Sequence, residues 1–357
     1  MSPTSSENWT DQLRQTPRWP YFALAAAIVA VFLMELAVGA VAIPFSDVAR
    51  ILFTGESERH TWLQIVQQFR LIRAVNALFS GASIAVCGLL LQTLFRNPLA
   101  DPYVLGVMDG ARLGVAIVVV VSGAASKSFL ARFAFLADLS QVAAAAIGSI
   151  AAMAVLLWIA HRVSTVTLLI SGLMLGYLCQ GLISVVLHFT DEFQAAAFSS
   201  WNDGSYAGIT RSQLEFLVPI TTLGLGIAIL LVKPLNALLL GERYAQTLGL
   251  PVFRARMFTF GIVALLAGTV TAFCGPIAFL GIIVAHLARA LFQTSDHRVL
   301  LPAVILLGST LALGADLITH LPWSKHFLHM NAVNGLIGAP IVLWVLLRQK
   351  QMRGLAG

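Results

Sequence analysis

The sequence predicts an all-α polytopic membrane protein with about ten transmembrane helices, and three observations carry this. The chain of 357 residues is 58% hydrophobic with a mean hydropathy of +0.86, far more apolar surface than a soluble domain buries. Its apolar runs recur at about 20 residues, the length that crosses a bilayer as a helix. Charged residues are only 11% of the chain and gather between those runs. The net charge of +6 then reads as basic loops on the cytoplasmic side of a bilayer, with no nucleic-acid partner.

Residues 1–19 form a polar tail with Arg14 and Arg18. The first helix is expected over about 20–43, too long a run for a secretory signal core of roughly 7–15 residues, so it is read as uncleaved. Ser46 is expected to cap a short interfacial helix over FSDVARILF. The second helix, about Trp62 to Leu94, is long enough to tilt or protrude, and Pro98 and Pro102 stop it. Four more follow at about 103–122, 138–160, 166–189 and 212–232. Beyond a polar interruption at 238–256 come helices at about 257–274, 276–292, 302–319 and 332–348, then a tail at 351–357. Residues 20–350 thus form one membrane domain. With both termini cytoplasmic, most of the 22 Lys and Arg residues fall on the cytoplasmic side.

The interruption is the chain's most informative stretch. Glu242 to Leu248 has the length of two helical turns, with Gly249 as a stop and Pro251 blocking continuation. Tyr244, Ala245 and Leu248 are expected on one face, making a small knob on the membrane surface. Such a knob is either a connector or a handle for another protein.

An internal echo supports inverted-repeat halves. Leu78–Gly88 reads LFSGASIAVCG and Leu265–Gly275 reads LLAGTVTAFCG, on helices expected to run in opposite directions, as in many transporters. Small residues at helix-packing spacing include Gly81 with Ala85 and Gly172 with Gly176. Gly172 and Gly176 are also candidates for lining a substrate path. Cys87, Cys179 and Cys274 lie in apolar stretches without disulfide or metal spacing and read as packing residues.

No GxxxxGK[ST], HExxH, CxxC or GxSxG motif occurs, so neither an enzyme nor a cofactor or metal site is expected. His320, His326 and His329 form the densest histidine group and read as solvated loop residues. Glu35, Asp109 and Asp316 lie near span ends, and Asp109 can pair with Arg112. No acid is expected at mid-depth, where ion-coupled transport would want one.

Four stretches resemble one family. RLIRAVNALFSGASIAVCGLLLQTLFRNPLADPYVLGV (Arg70–Val107), LLLGERYAQTLGL (Leu238–Leu250), GPIAFLGIIVAHLARALFQTSDHRVLLP (Gly275–Pro302) and NAVNGLIGAPIVLWVLL (Asn331–Leu347) are similar to motifs of the FecCD-type ABC importer permeases. These serve ferric siderophores, haem and vitamin B12. The resemblance implies a vitamin-B12-permease-like, type II importer subunit in the bacterial inner membrane. It would work as a homodimer with two copies of a separate cytoplasmic ATPase and one periplasmic substrate-binding protein. Gly241, Glu242, Arg243, Ala245, Leu248, Gly249 and Leu250 become the ATPase-coupling segment. Arg70 and Arg73 match an arginine pair that meets the binding protein, with His320 where relatives carry a third arginine. Two further departures are Ile72 and Ala285 in place of prolines, the second removing an expected kink. NAV at 331–333, where PVG is commoner, points to ferric siderophore ahead of haem and vitamin B12. The alternatives outside this family are an ion-coupled secondary transporter and a scaffold that moves nothing.

Overall fold

The computed structural model describes residues 18–124, 134–160, 162–320 and 328–354. Most of the N-terminal tail, the end of the C-terminal tail, and His326 lie outside the described residues, which hold fourteen helices and no strand. Helix α1 (Trp19–Ala37) and a short α2 (Phe45–Thr54) lead into α3 (His60–Phe95), a single 36-residue helix. At 1.5 Å per residue α3 is about 54 Å long, well beyond a bilayer core of about 30 Å. After it come α4 (Val107–Ala124), α5 (Ala134–Ala160), α6 (Thr165–His188) and α7 (Glu192–Asn202). The second half holds α8 (Arg211–Leu230), α9 (Val232–Leu239), α10 (Glu242–Thr247), α11 (Val252–Cys274), α12 (Leu280–Phe292), α13 (His297–Thr319) and α14 (Met330–Gly354).

Seven of these, α1, α3, α5, α6, α8, α11 and α13, are long and apolar enough to cross a membrane. The other three of the expected ten correspond to α4 and to the shorter apolar helices α12 and α14. The central helix is α3, whose most apolar stretch is 83% buried, against 22% for α6 and for α8. Small residues let α3 pack closely: a Cβ on Gly81 would lie 2.5 Å from the Gly308 carbonyl, and one on Gly88 2.4 Å from that of Gly281.

The inverted-repeat expectation is met in direction. Cys274 reaches Asn76 (3.3 Å) near the middle of α3, while Val263 meets Cys87 (3.9 Å) further along, so α3 and α11 run antiparallel. Each is followed by a non-helical break, and the helix beyond it starts among buried residues. Break one, residues 97–106, precedes α4; break two, residues 275–279, precedes α12.

Break one closes on itself. Asn97 Oδ1 accepts from Leu99 N (2.9 Å), Asp101 Oδ1 accepts from Tyr103 N (2.9 Å), and Ala100 and Leu105 donate back to the Asn97 and Asp101 carbonyls. These are the local turns that Asn and Asp favour. Break two is bridged from afar. Asn331, at the start of α14, donates to the Pro276 carbonyl (2.8 Å) and accepts from Ala278 N (3.0 Å). Ser205 N covers the Cys274 carbonyl (2.8 Å). Buried irregular backbone is tolerated where protein supplies its hydrogen bonds. The Asn of NAV is thus the residue that holds the backbone of break two.

Several expected boundaries move for identifiable reasons. The first helix ends at Ala37, not 43, because Arg70 donates to the Leu36 (2.8 Å) and Val41 (2.5 Å) carbonyls across a turn at Gly39. Pro44 rather than Ser46 precedes α2 as its cap residue, with no side-chain cap. The seventh and ninth helices start early, at Val252 and His297. Pro302 thus sits inside α13, and Arg254 and Arg256 belong to α11 instead of the polar interruption. The tenth helix runs on to Gly354, into the expected tail. The expected eighth helix loses its first residues to break two, and without a proline at Ala285 α12 is unbroken. A π-helical turn at Ile65–Arg70 precedes Ile72, and α3 continues through it. Helix α7, which no long apolar run announces, is capped by Asp191.

Candidate functional site

Two sites emerge at opposite ends of the bundle. At the knob end, Gly241 (φ 107°) starts α10 and Gly249 (φ 81°) ends it. Leu250 N donates to the Ala245 carbonyl (3.0 Å) and Gly249 N to that of Gln246 (2.9 Å), the Schellman closure that a C-terminal glycine permits. Glu242 is tied to Arg256 in the first turns of α11, which pins the knob to the bundle. The expected shared face splits. Ala245 is fully buried, whereas Tyr244 and Leu248, one turn apart, are 54% and 60% exposed. Arg243 is exposed beside them, and a cleft of about 790 Å³ opens between Phe95, Arg96, Val166 and Leu240–Tyr244. The knob therefore has an anchoring side (Glu242, Ala245) and a presenting side (Arg243, Tyr244, Leu248).

At the arginine end, Arg70, Arg73 and His320 do come together, with partners from far along the chain. The Arg73 guanidinium holds Asp316 by two hydrogen bonds (2.6 and 2.7 Å), reaches Thr319 Oγ1 (2.9 Å) and lies 3.8 Å from Glu35. His320 contacts Glu35 (3.3 Å). Burial and the neighbouring Arg73 charge pull the His320 imidazole below its usual pKa. Glu35, Arg70, Arg73 and His320 line a cavity of about 360 Å³. Both arginines are half-buried, Arg70 as the cap of α1 and Arg73 as an ion-pair partner. The pairing of Arg73 with Asp316 spans 243 positions, so no local pattern announces it. The signal available was the presence of two acids, Glu35 and Asp316, near the same end of the bundle.

Other expected residues settle differently. Gly172 and Gly176 are buried against Leu105, Gly106 and Asp109, so they let α6 approach break one. Asp109 pairs with Arg112 as expected (2.6 Å). His329 pairs with Asp203 (3.2 Å). Asp101, buried in break one with its second oxygen over Gly281, has its carboxyl pushed up to about 7 by burial. The three cysteines are free and buried, as packing residues would be.

A helical bundle with a surface knob, central glycine contacts and two buried breaks has known counterparts. The model of the FecCD transport family matches residues 27–348. The chain is 32% identical over 340 residues to the vitamin B12 import system permease protein BtuC of Klebsiella pneumoniae, covering 95% of this chain and 96% of that one. It is 33% identical over 306 residues to the hemin transport system permease protein HmuU of Yersinia pestis, covering 84% and 87%. Among solved structures, a metal-chelate type ABC transporter in an inward-facing conformation superposes with a TM-score of 0.80 at 25% identity, covering 93% of this chain and all of the other. The ion-coupled and scaffold alternatives fall away with these matches. This chain belongs to the FecCD transport family and is an ABC importer permease.

Proposed function

We propose that the chain is the homodimerising membrane subunit of a bacterial inner-membrane importer, with both termini cytoplasmic, and that its cargo is a metal chelate. The observation that carries this is the knob. A short helix fixed at both ends, anchored through Glu242 and Ala245, and presenting Arg243, Tyr244 and Leu248 is a rigid handle. It suits a separate cytoplasmic ATPase whose closure is passed on as rigid-body motion. The arginine end would face the periplasm and receive a substrate-binding protein, Arg70 and Arg73 supplying the positive rim that orients an acidic partner. The sparsely buried faces of α6 and α8 suit a second copy of the chain, with the cargo path between the copies.

Ferric siderophore is the first cargo to test. The chain stands equally far from a vitamin B12 permease and a hemin permease, at 32% and 33% identity, which supports the chelate class over either cargo. Uptake of iron-labelled siderophores, haem and labelled cobalamin in cells lacking this chain tests the reading. Restoration of siderophore uptake by wild-type chain, and not by Leu248→Asp, is expected. Restoration of haem or cobalamin uptake alone would change the cargo. Full activity of Leu248→Asp would remove the handle.

A further inference from the structure

The knob hangs on a short stem, α9, whose polar fastening to the bundle is the side chain of Asn236. Its Nδ2 donates to Asp296 Oδ1 (2.7 Å), and a carboxylate only accepts, so the amide can point only one way. Asn236 Oδ1 therefore faces His297 and accepts from its main-chain N (2.9 Å) and from its Nδ1 (2.8 Å). With the hydrogen on Nδ1, Nε2 of the neutral ring accepts from the Thr93 hydroxyl (2.7 Å) in the last turn of α3. His297 and Thr93 are both buried. The stem is thus joined to the start of α13 and, through one imidazole, to the end of α3.

Those two helices are fastened to each other along their length. Beyond the Thr93–His297 contact, Gly81 and Gly308 leave no room for a Cβ between their backbones, and Ser309 Oγ donates to the Leu78 carbonyl (2.9 Å). At the arginine end Arg73 holds Asp316. By contrast α8, which leads into the stem from the other side, has only 22% of its most apolar stretch buried. We propose that Asn236 is a positioning residue for coupling, which delivers movement of the knob to the α3–α13 pair and so to the arginine end. This rests on the knob being the handle of the ATPase. Leu235 and Leu238 are buried beside Asn236, but apolar contact is non-directional and lets a short helix slide. Hydrogen bonds from one amide to three atoms at the start of α13 form in one alignment only.

The test uses the full-length permease in lipid nanodiscs with its cognate ATPase, carrying an environment-sensitive fluorophore on Gln68→Cys. Gln68 is exposed and lines the arginine-end cavity with Arg70 and Arg73, and the three native cysteines are buried, so labelling is selective. ATP with vanadate should shift the emission of the label. In Asn236→Leu the shift should be lost while the ATPase still co-purifies and basal ATP hydrolysis persists. Thr93→Val exchanges only the hydroxyl for a methyl and should diminish the shift, whereas Thr93→Ser should keep it. The Thr93 pair decides the matter even where Asn236→Leu is unstable. A wild-type shift in Asn236→Leu or in Thr93→Val would overturn the proposal. So would loss of ATPase capture together with the shift, which would make Asn236 a residue that merely shapes the knob. A wild type that binds the ATPase and shows no shift would also overturn it. Failure of the wild type to hold the ATPase would remove the handle, and this inference with it.

Discussion

The two breaks in the bundle solve one problem by opposite means. Both interrupt helices among buried residues, and both must satisfy backbone polar groups that water does not reach. Break one does so locally, with the side chains of Asn97 and Asp101 bonding amides two residues on. Break two has no such residues, since Gly275–Phe279 offers no polar side chain. It is held from 53 and 55 positions away by the amide of Asn331. A self-closing break is robust to change elsewhere in the chain. A bridged break makes α14 part of the geometry of α12, so movement of one must be accommodated by the other.

The sharpest way to break this comparison is Gly275→Val. A Cβ there would lie 2.1 Å from the Trp201 carbonyl, on backbone at φ 73°, and a β-branched residue is strained at positive φ. The variant should not accumulate as monodisperse protein on size exclusion, and recovery at wild-type yield would contradict the fold at break two. Next is Asn331→Leu, which orphans the Pro276 carbonyl and the Ala278 amide at on the order of 1–3 kcal/mol each. Its unfolding midpoint in detergent should fall clearly, with Asn331→Asp, which keeps only the acceptor, in between. Equal midpoints for all three would mean the bridge is dispensable.

Asp101→Asn sharpens the comparison by pH. The Asp101 carboxyl stands at about 7 in the fold against an ordinary 3.8, so the folded state binds the extra proton between those values. Wild-type stability should therefore fall, relative to the Asn variant, as pH rises from about 4 to about 7, and then level off. A difference independent of pH would show Asp101 to be ordinarily ionised. Asn97→Ala should have the smallest effect, about 0.5–1.5 kcal/mol, because the main-chain bonds of the turn remain. A loss matching Asn331→Leu would erase the distinction between the breaks.

The same contrast explains what was legible in the sequence. Helices set by long apolar runs were readable, as were the Gly249 stop of the knob and the end of α3 before Pro98, because each signal is local. The early starts of α11 and α13 were not. Polar Arg254 and Arg256 read as loop, and Pro302 read as a helix start although Asp296 caps the helix by accepting from Arg298 N (2.8 Å). The splitting of the knob's face followed from packing of Ala245 on the bundle, which no spacing rule contains. The Arg73–Asp316–Glu35–His320 cluster and the Asn331 bridge join residues far apart in the chain. Such contacts are decided by how the helices pack, and a single sequence does not display that.

The proposed role of α10 as the handle of an ATPase is tested by co-purification. The permease would be captured from membranes together with its cognate ATPase, as wild type, as Tyr244→Ala and as Leu248→Asp. The exposed pair is predicted to be an interface anchor, so Leu248→Asp should weaken the complex by on the order of 2 kcal/mol, about thirty-fold, with the bundle still folded. Tyr244→Ala should weaken it less. ATPase retained by Leu248→Asp at the wild-type level would contradict the claim and leave α10 a connector between two membrane helices.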